Sequence, residues 1–311
     1  MAARTVIDPQ VIVSHEFPQW SFTYSERDVS LYALGIGACL NDPVDDKELK
    51  YVYHRDVQPI EVLPTFAAIF PSQILSLMAN SPGLEFDSHL LLHGKQDIEI
   101  YKPFPSSCCI LNKAAIVGVH DKGKAALIEI EILCYEKESG VLLCRNLMTL
   151  YLRGAGGFSN SSQPYSYSKY PPSDKAVAAP KIPRTKPFAV YEECTQPSQA
   201  LVYRLSGDYN PLHSDPTVAE IAGFSRPILH GLCSLGFAVR AIIKTICGGD
   251  HNMIKNISGR FLLHVFPGET LITEMWIEGG VRVMYETRVK ERGGAAVVAG
   301  SVLLSQLKAS L

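Results

Sequence analysis

The stretch SGDYNPLHSD, residues 206–215, places Asp208, Asn210 and His213 within six residues, with Pro211 fixing one backbone dihedral between them. A carboxylate beside an imidazole supplies one group that is a competent base near neutral pH and another that orients it or shares its proton. That is the equipment for moving a proton between water and carbon. The same residues also suit a polar turn in which Asp208 and Asn210 cap their own backbone and His213 caps a following helix. A second stretch, SRPILHGLCSLGFAV, sets His230 and Gly231 after Pro227 and just ahead of an apolar helical pattern. The N–H groups from Gly231 onward would then be unpaired, at the positive end of the helix dipole. A glycine there lets a carbonyl oxygen approach where a Cβ would crowd it, which suits an oxyanion; close helix packing alone would also explain it.

The elements that must hold these residues follow from periodicity. Leu232, Leu235, Val239, Ile242 and Ile246 recur at spacings of three and four, which predicts a helix with those residues on one face. An aliphatic helical pattern also runs from about Phe66 to Met78. LIEIEILCYE alternates Ile128, Ile130 and Ile132 with Glu129 and Glu131, and VRVMYETRVK alternates in the same way, so both predict strands. Gly123, Gly140, Gly279-Gly280 and Gly293-Gly294 mark the turns between strands. Between residues 154 and 187 the chain is rich in Gly, Ser and Pro, which predicts a linker and separate units on either side. The expectation is an α+β chain of two tandem domains, residues 1–153 and 188–311, each a curved antiparallel sheet wrapped around a long helix. Aligning YALGIGACLND from Tyr32 with YRLSGDYNPLH from Tyr203 puts Gly37, Cys39 and Asp42 where Asp208, Asn210 and His213 stand. On that register the first half is a copy without the polar cluster.

Composition narrows the function. Twenty-nine Lys and Arg against 31 Asp and Glu give a net charge of -2, so no global field draws the chain to nucleic acid or an anionic membrane. Eight scattered cysteines form no C-x-x-C pair and read as buried thiols in a reducing compartment. MAARTVIDPQ lacks the apolar core of a signal peptide, and the longest apolar runs are interrupted by Pro64 and Pro71 or charged by Arg240 and Lys244. The final Ala309-Ser310-Leu311 keeps the small first residue and last leucine of the S-K-L peroxisomal address while losing its central base. It reads as a signal for the import receptor or as a frayed polar end.

Tyr203, Leu205, Ser206, Gly207, Asp208, Asn210, Pro211, Leu212 and His213, followed by His230-Gly231, resemble the signature of the hydratase-2 and MaoC-like family. Members of that family have the hot-dog fold and act on acyl-CoA thioesters. The resemblance extends over both halves to its peroxisomal members with two tandem hot-dog domains, through LLHGKQDIEIYKPFP, DKG and RFLLHVFPGETL. It implies that Asp208 and His213 form the acid-base pair, that Asn210 helps hold the water and the loop, and that the Gly231 N–H binds the thioester oxygen. It also implies substrate contacts at His93, Gly94, Lys122, Tyr209, Pro211, Leu212 and Phe261. Taken as residues alone, Lys122 is a solvated turn lysine, Phe261 a strand aromatic in the core, and His93-Gly94 a turn into a strand.

The implied activity is reversible hydration of trans-2-enoyl-CoA to (R)-3-hydroxyacyl-CoA in fatty acid β-oxidation, in the peroxisome. No metal or other cofactor is called for, CoA being part of the substrate, and no G-x-G-x-x-G turn or metal-ligand spacing is present. A first half released from catalysis would have room for a long acyl tail. A hot-dog acyl-CoA thioesterase and a non-catalytic acyl-CoA-binding protein are the rival readings. A hydrolase using Ser234 or Cys233 lacks a G-x-S-x-G elbow. Two such domains could pair within one chain or form a homodimer.

Overall fold

Alternating side chains separated by glycine turns build a sheet that runs through the whole molecule. The structure, a computed structural model, describes residues 7–54, 58–159, 162–170 and 181–306. Its strands are β1 (Trp20–Tyr24), β2 (Leu91–Ile100), β3 (Cys108–Asp121), β4 (Ala125–Glu136), β5 (Leu142–Arg153), β6 (Ser166–Ser168), β7 (Ala189–Cys194), β8 (Ile254–Phe261), β9 (Thr270–Glu278), β10 (Arg282–Val289) and β11 (Ala295–Leu304). The helices are α1 (Pro9–Ser14), α2 (Glu26–Gly35), α3 (Asp46–Leu49), α4 (Ile74–Ala79), α5 (Gln199–Tyr203), α6 (Pro216–Ile221) and α7 (Gly231–Thr245). The turn glycines 123, 140, 279, 280, 293 and 294 all have positive φ, the backbone region that favours glycine.

Duplication is written in the strand order. The sheet runs β1-β3-β4-β5-β2-β8-β11-β10-β9-β7. From the outer edge inward, the first half uses its main strands in the order first, third, fourth, fifth, second, and the second half repeats that order. The halves meet where β2 pairs antiparallel with β8, Lys95 opposite Arg260 and Glu99 opposite Asn256. They therefore share one sheet and are not units joined only by a tether. The linker is itself partly laid on the sheet, with β6 pairing β3 at residues 118–120 and the Trp276 indole donating to the Thr185 carbonyl at 2.9 Å.

The helices differ between the halves. In the second, α7 is a continuous helix whose residues 233–243 are all buried, not only those of one face. Its small residues explain this: a Cβ on Gly236 would lie 2.5 Å from Ile36, so the first half packs tightly against the side of α7 that a lone domain would leave to solvent. In the first half, the helix expected from Phe66 to Met78 is broken into a 3-10 turn (Pro64–Ala68) and the short α4. Pro71 lacks the N–H an uninterrupted helix would need. The Asn112 side chain donates to the Phe70 carbonyl at 3.0 Å, and Asn146 donates to the Ala67 carbonyl at 3.1 Å while accepting from Gln96 at 2.8 Å. These buried amides satisfy carbonyls that the break sets free.

The buried Arg240 of α7 sits where the halves face each other. Its guanidinium pairs with Glu48 and Glu193, and its Nε donates to the Ile36 carbonyl at 2.9 Å. A Cβ on Gly37 would lie 2.5 Å from the Phe237 ring, so the segment aligned with the Asp208 loop is packed onto α7. Asp42 caps the Val44 N–H at 3.0 Å. The first-half counterpart of the polar loop thus serves packing and an ion-pair network.

Candidate active site

Local turn bonds present the polar cluster. Gly207, at φ +125°, breaks the chain direction after α5. The Asp208 carboxylate then accepts from the Asn210 N–H at 3.2 Å, and the Asn210 side-chain carbonyl accepts from the Leu212 N–H at 3.0 Å. The Asp208 and Asn210 caps form the polar turn and wind residues 211–213 into a 3-10 turn that drives His213 inward, while the cap of the following helix α6 is Asp215 and not His213. His213 is 9 % exposed, and its Nδ1–H is donated to the Ile228 carbonyl at 2.8 Å. That bond fixes the tautomer and leaves Nε2 as a bare acceptor. Burial lowers the His213 pKa from its usual range, against the opposing charge of Asp208, so the ring is held as a neutral base.

The neighbouring elements close on this loop. Ligand atoms of Asp208, His213 and His230 all lie within 4.8 Å of one another. His230 immediately precedes α7, and Gly231 is its exposed first residue, whose N–H has no partner within the helix. The Phe261 ring, at the end of β8, lies over Gly231: a Cβ there would meet it at 3.0 Å. From the first half, β2 brings His93 against Phe261, with ring centroids 5.0 Å apart. Burial pushes His93 down to about 4, although the nearby Asp208 charge acts the other way. Gly94 is the unpaired residue of a β-bulge, and a Cβ on it would strike the Tyr151 ring at 2.6 Å. The candidate site is therefore a seam between the halves, with a carboxylate, an imidazole and a free helix N-terminus converging on it.

The matches to known proteins span both halves of the chain. Residues 22–154 match the MFE-2 hydratase 2 N-terminal domain and residues 173–299 the MaoC like domain. The chain is 59 % identical over 97 % of its length to an Arabidopsis thaliana protein named peroxisomal enoyl-CoA hydratase 2, covering 96 % of that protein. The chain belongs to the MaoC-like hydratase-2 family. A mouse relative, peroxisomal multifunctional enzyme type 2, is 39 % identical over 92 % of the chain, which spans 37 % of that longer protein. The crystal structure of a MaoC-like dehydratase from Phytophthora capsici superimposes with a TM-score of 0.81 at 32 % identity, covering 97 % of this chain and all of the other. The hydratase-2 fold accounts for the tandem hot-dog architecture.

Within this hydratase-2 chain the structure joins Asp208, His213, Gly231, His93 and Phe261 through direct contacts or charge. Gly94 supports them from the bulge. Tyr209 is exposed with Arg204 over its ring at 4.9 Å, Pro211 is exposed and Leu212 half-buried, so all three face outward from the loop. Lys122 stands exposed in the β3–β4 turn, outside the contacts that link the others. Asn210 is exposed, with its side-chain oxygen committed to its own turn. The sequence marks His230 only as the residue before the helix; its place in a buried group of rings depends on contacts with Tyr203 and His213.

Phe261 makes Gly231 sensitive to any side chain. Gly231→Ala is expected to lower kcat/KM for an enoyl-CoA about tenfold, because the methyl both displaces the ring and crowds an incoming carbonyl oxygen. Steady-state kinetics with an unchanged melting midpoint would show that the loss belongs to the site.

Proposed function

We propose that the protein adds water reversibly to trans-2-enoyl-CoA, giving (R)-3-hydroxyacyl-CoA, as a step of peroxisomal fatty acid β-oxidation. The observation that carries this is the convergence of the Asp208 carboxylate, the neutral His213 imidazole and the free N-terminus of α7 at one seam. The thioester oxygen accepts the Gly231 N–H, drawing electron density from the double bond and making the β-carbon electrophilic. Asp208 and His213 hold a water between them. The bare Nε2 of His213 takes a proton from that water as its oxygen bonds to the β-carbon, and the same pair returns a proton to the α-carbon. One C–O and one C–H bond replace the π bond, with both additions on one face. The proposed chemistry uses no metal or redox cofactor.

His93 and Phe261 would flank the thioester, and Lys122, Tyr209, Pro211 and Leu212 would meet the CoA portion at the exposed rim. The acyl tail would run toward the first half, where the helix expected from Phe66 to Met78 is broken into two short pieces. Because β2 and β8 already pair the two hot-dog units, one chain supplies the whole site, and a homodimer is not required for it. Ala309-Ser310-Leu311, the proposed contact with the import receptor, lies outside the described residues.

Loss of the conjugated enoyl-thioester absorbance without release of CoA thiol, with (R)-3-hydroxyacyl-CoA as the product on chiral analysis, is the expected result. Stoichiometric thiol release would instead make the protein a thioesterase, and binding without turnover would make it an acyl-CoA-binding protein.

A further inference from the structure

The hydration scheme gives no task to His230, although its side chain is 1 % exposed and its ring meets two others of the site. Its ring stacks on that of His213 with centroids 3.7 Å apart and planes inclined by 28°, and the Tyr203 ring lies 4.8 Å away. Its Nε2–H is donated to the Asp208 backbone carbonyl at 3.2 Å, while Nδ1 is buried with no hydrogen-bond partner among the described residues. Packing alone does not favour such a residue, since a buried nitrogen without a partner is destabilising and an apolar side chain would avoid that loss. What an apolar side chain could not do is hold both members of the acid-base pair at once.

We infer that His230 is a positioning residue for the hydration: its edge holds the Asp208 backbone and its face holds the His213 ring, so one side chain sets the carboxylate and imidazole relative to each other. This rests on Asp208 and His213 being the acid-base pair. The stack also suits the proton movement. His213 becomes an imidazolium when it takes the water's proton, and a second cation at 3.7 Å would oppose that step. Burial, with the charges of His213 and Arg204 acting in the same direction, pushes His230 down to about 2, so it stays neutral. The titratable and charged groups around it are His213 and Asp208 on the loop, Tyr203 and Arg204 at the end of α5, and Cys233 within the first turn of α7.

Two variants separate the functions of the ring. His230→Gln keeps an N–H for the Asp208 carbonyl and loses the stack, whereas His230→Phe keeps the stack and loses the N–H. Each is expected to lower kcat about tenfold or more with KM changed less than about threefold, because misplacement of the pair affects the chemical step more than binding. In His230→Gln the acid limb of the kcat/KM profile should also move to higher pH, since uncovering His213 relieves the burial that lowers its pKa. In His230→Phe the limb should move less. Val283→Ala, a buried change in β10, serves as a control for general loss of stability. Wild-type kcat and pH profile in both folded His230 variants, with only the melting midpoint lowered, would overturn the inference. Asp208→Asn measured alongside keeps the two questions apart: if it too is fully active, the acid-base assignment has failed, and if it alone is inactive, only the role of His230 has.

Discussion

Asp208→Asn and His213→Ala are each expected to lower turnover of trans-2-enoyl-CoA by about two orders of magnitude or more, with thioester binding largely retained. Asparagine preserves the size of Asp208 and can still accept from the Asn210 N–H, but it carries neither the charge nor the proton capacity. Alanine at His213 removes the bare Nε2 that takes the water's proton and leaves the Ile228 carbonyl without its donor. The two losses should combine far less than additively, because the residues act as a unit. In the unaltered protein, kcat/KM should hold above the lowered pKa of His213 and decline as pH falls through it, so the acid limb belongs below the ordinary histidine value of 6.5. Steady-state kinetics across pH, with binding of a non-hydrating acyl-CoA as the second readout, checks both statements. Full activity in both variants would remove the pair from the mechanism.

The second large effect is on stability. Arg240→Met should destabilise the fold by about 3–5 kcal/mol, the usual consequence of removing one partner from a buried ionic group. Glu48 and Glu193 are only 3 % and 4 % exposed, and without the guanidinium they are left as buried carboxylates facing each other. Lys244 reaches Glu48 at 3.5 Å, the Cys39 N–H donates to it at 2.9 Å and Asn41 donates to Glu193 at 3.0 Å, so part of the charge stays satisfied. Replacing Arg240, Glu48 and Glu193 together by apolar residues of similar volume should recover much of the loss, since no charge then remains buried. Equilibrium denaturation reads both outcomes. The network lies outside the contacts of the Asp208 loop, so kcat per folded molecule of Arg240→Met should match the unaltered protein. That is the reverse of the expectation for Asp208→Asn.

The site was legible in the sequence where its geometry is local. Asp208, Asn210, Pro211 and His213 occupy consecutive turns whose caps can be anticipated from residue type, and Gly231 follows from the start of an uninterrupted apolar period. The alternation of Ile128, Ile130 and Ile132 and the turn glycines likewise predict their strands. What escaped depends on contacts between distant parts of the chain. Nothing in LLHGKQDIEI reveals that it will pair with β8 and so carry His93 across to Phe261. Arg240 shows in the sequence only as a charge within an apolar run, because its ion-pair partners are 192 and 47 residues away. The helix break after Ala68 was signalled by Pro71, but the asparagines that make it tolerable come from β3 and β5.

The most direct test of the central claim is a crystal structure of the His213→Ala protein with a bound trans-2-enoyl-CoA. The expected structure has the thioester oxygen at about 3 Å from the Gly231 nitrogen, the β-carbon turned toward the Asp208 carboxylate, and His93 and Phe261 against the thioester. A thioester seated elsewhere, for instance in the cavity lined by Tyr101, Lys102 and His251, with the Gly231 N–H facing only solvent, would contradict it.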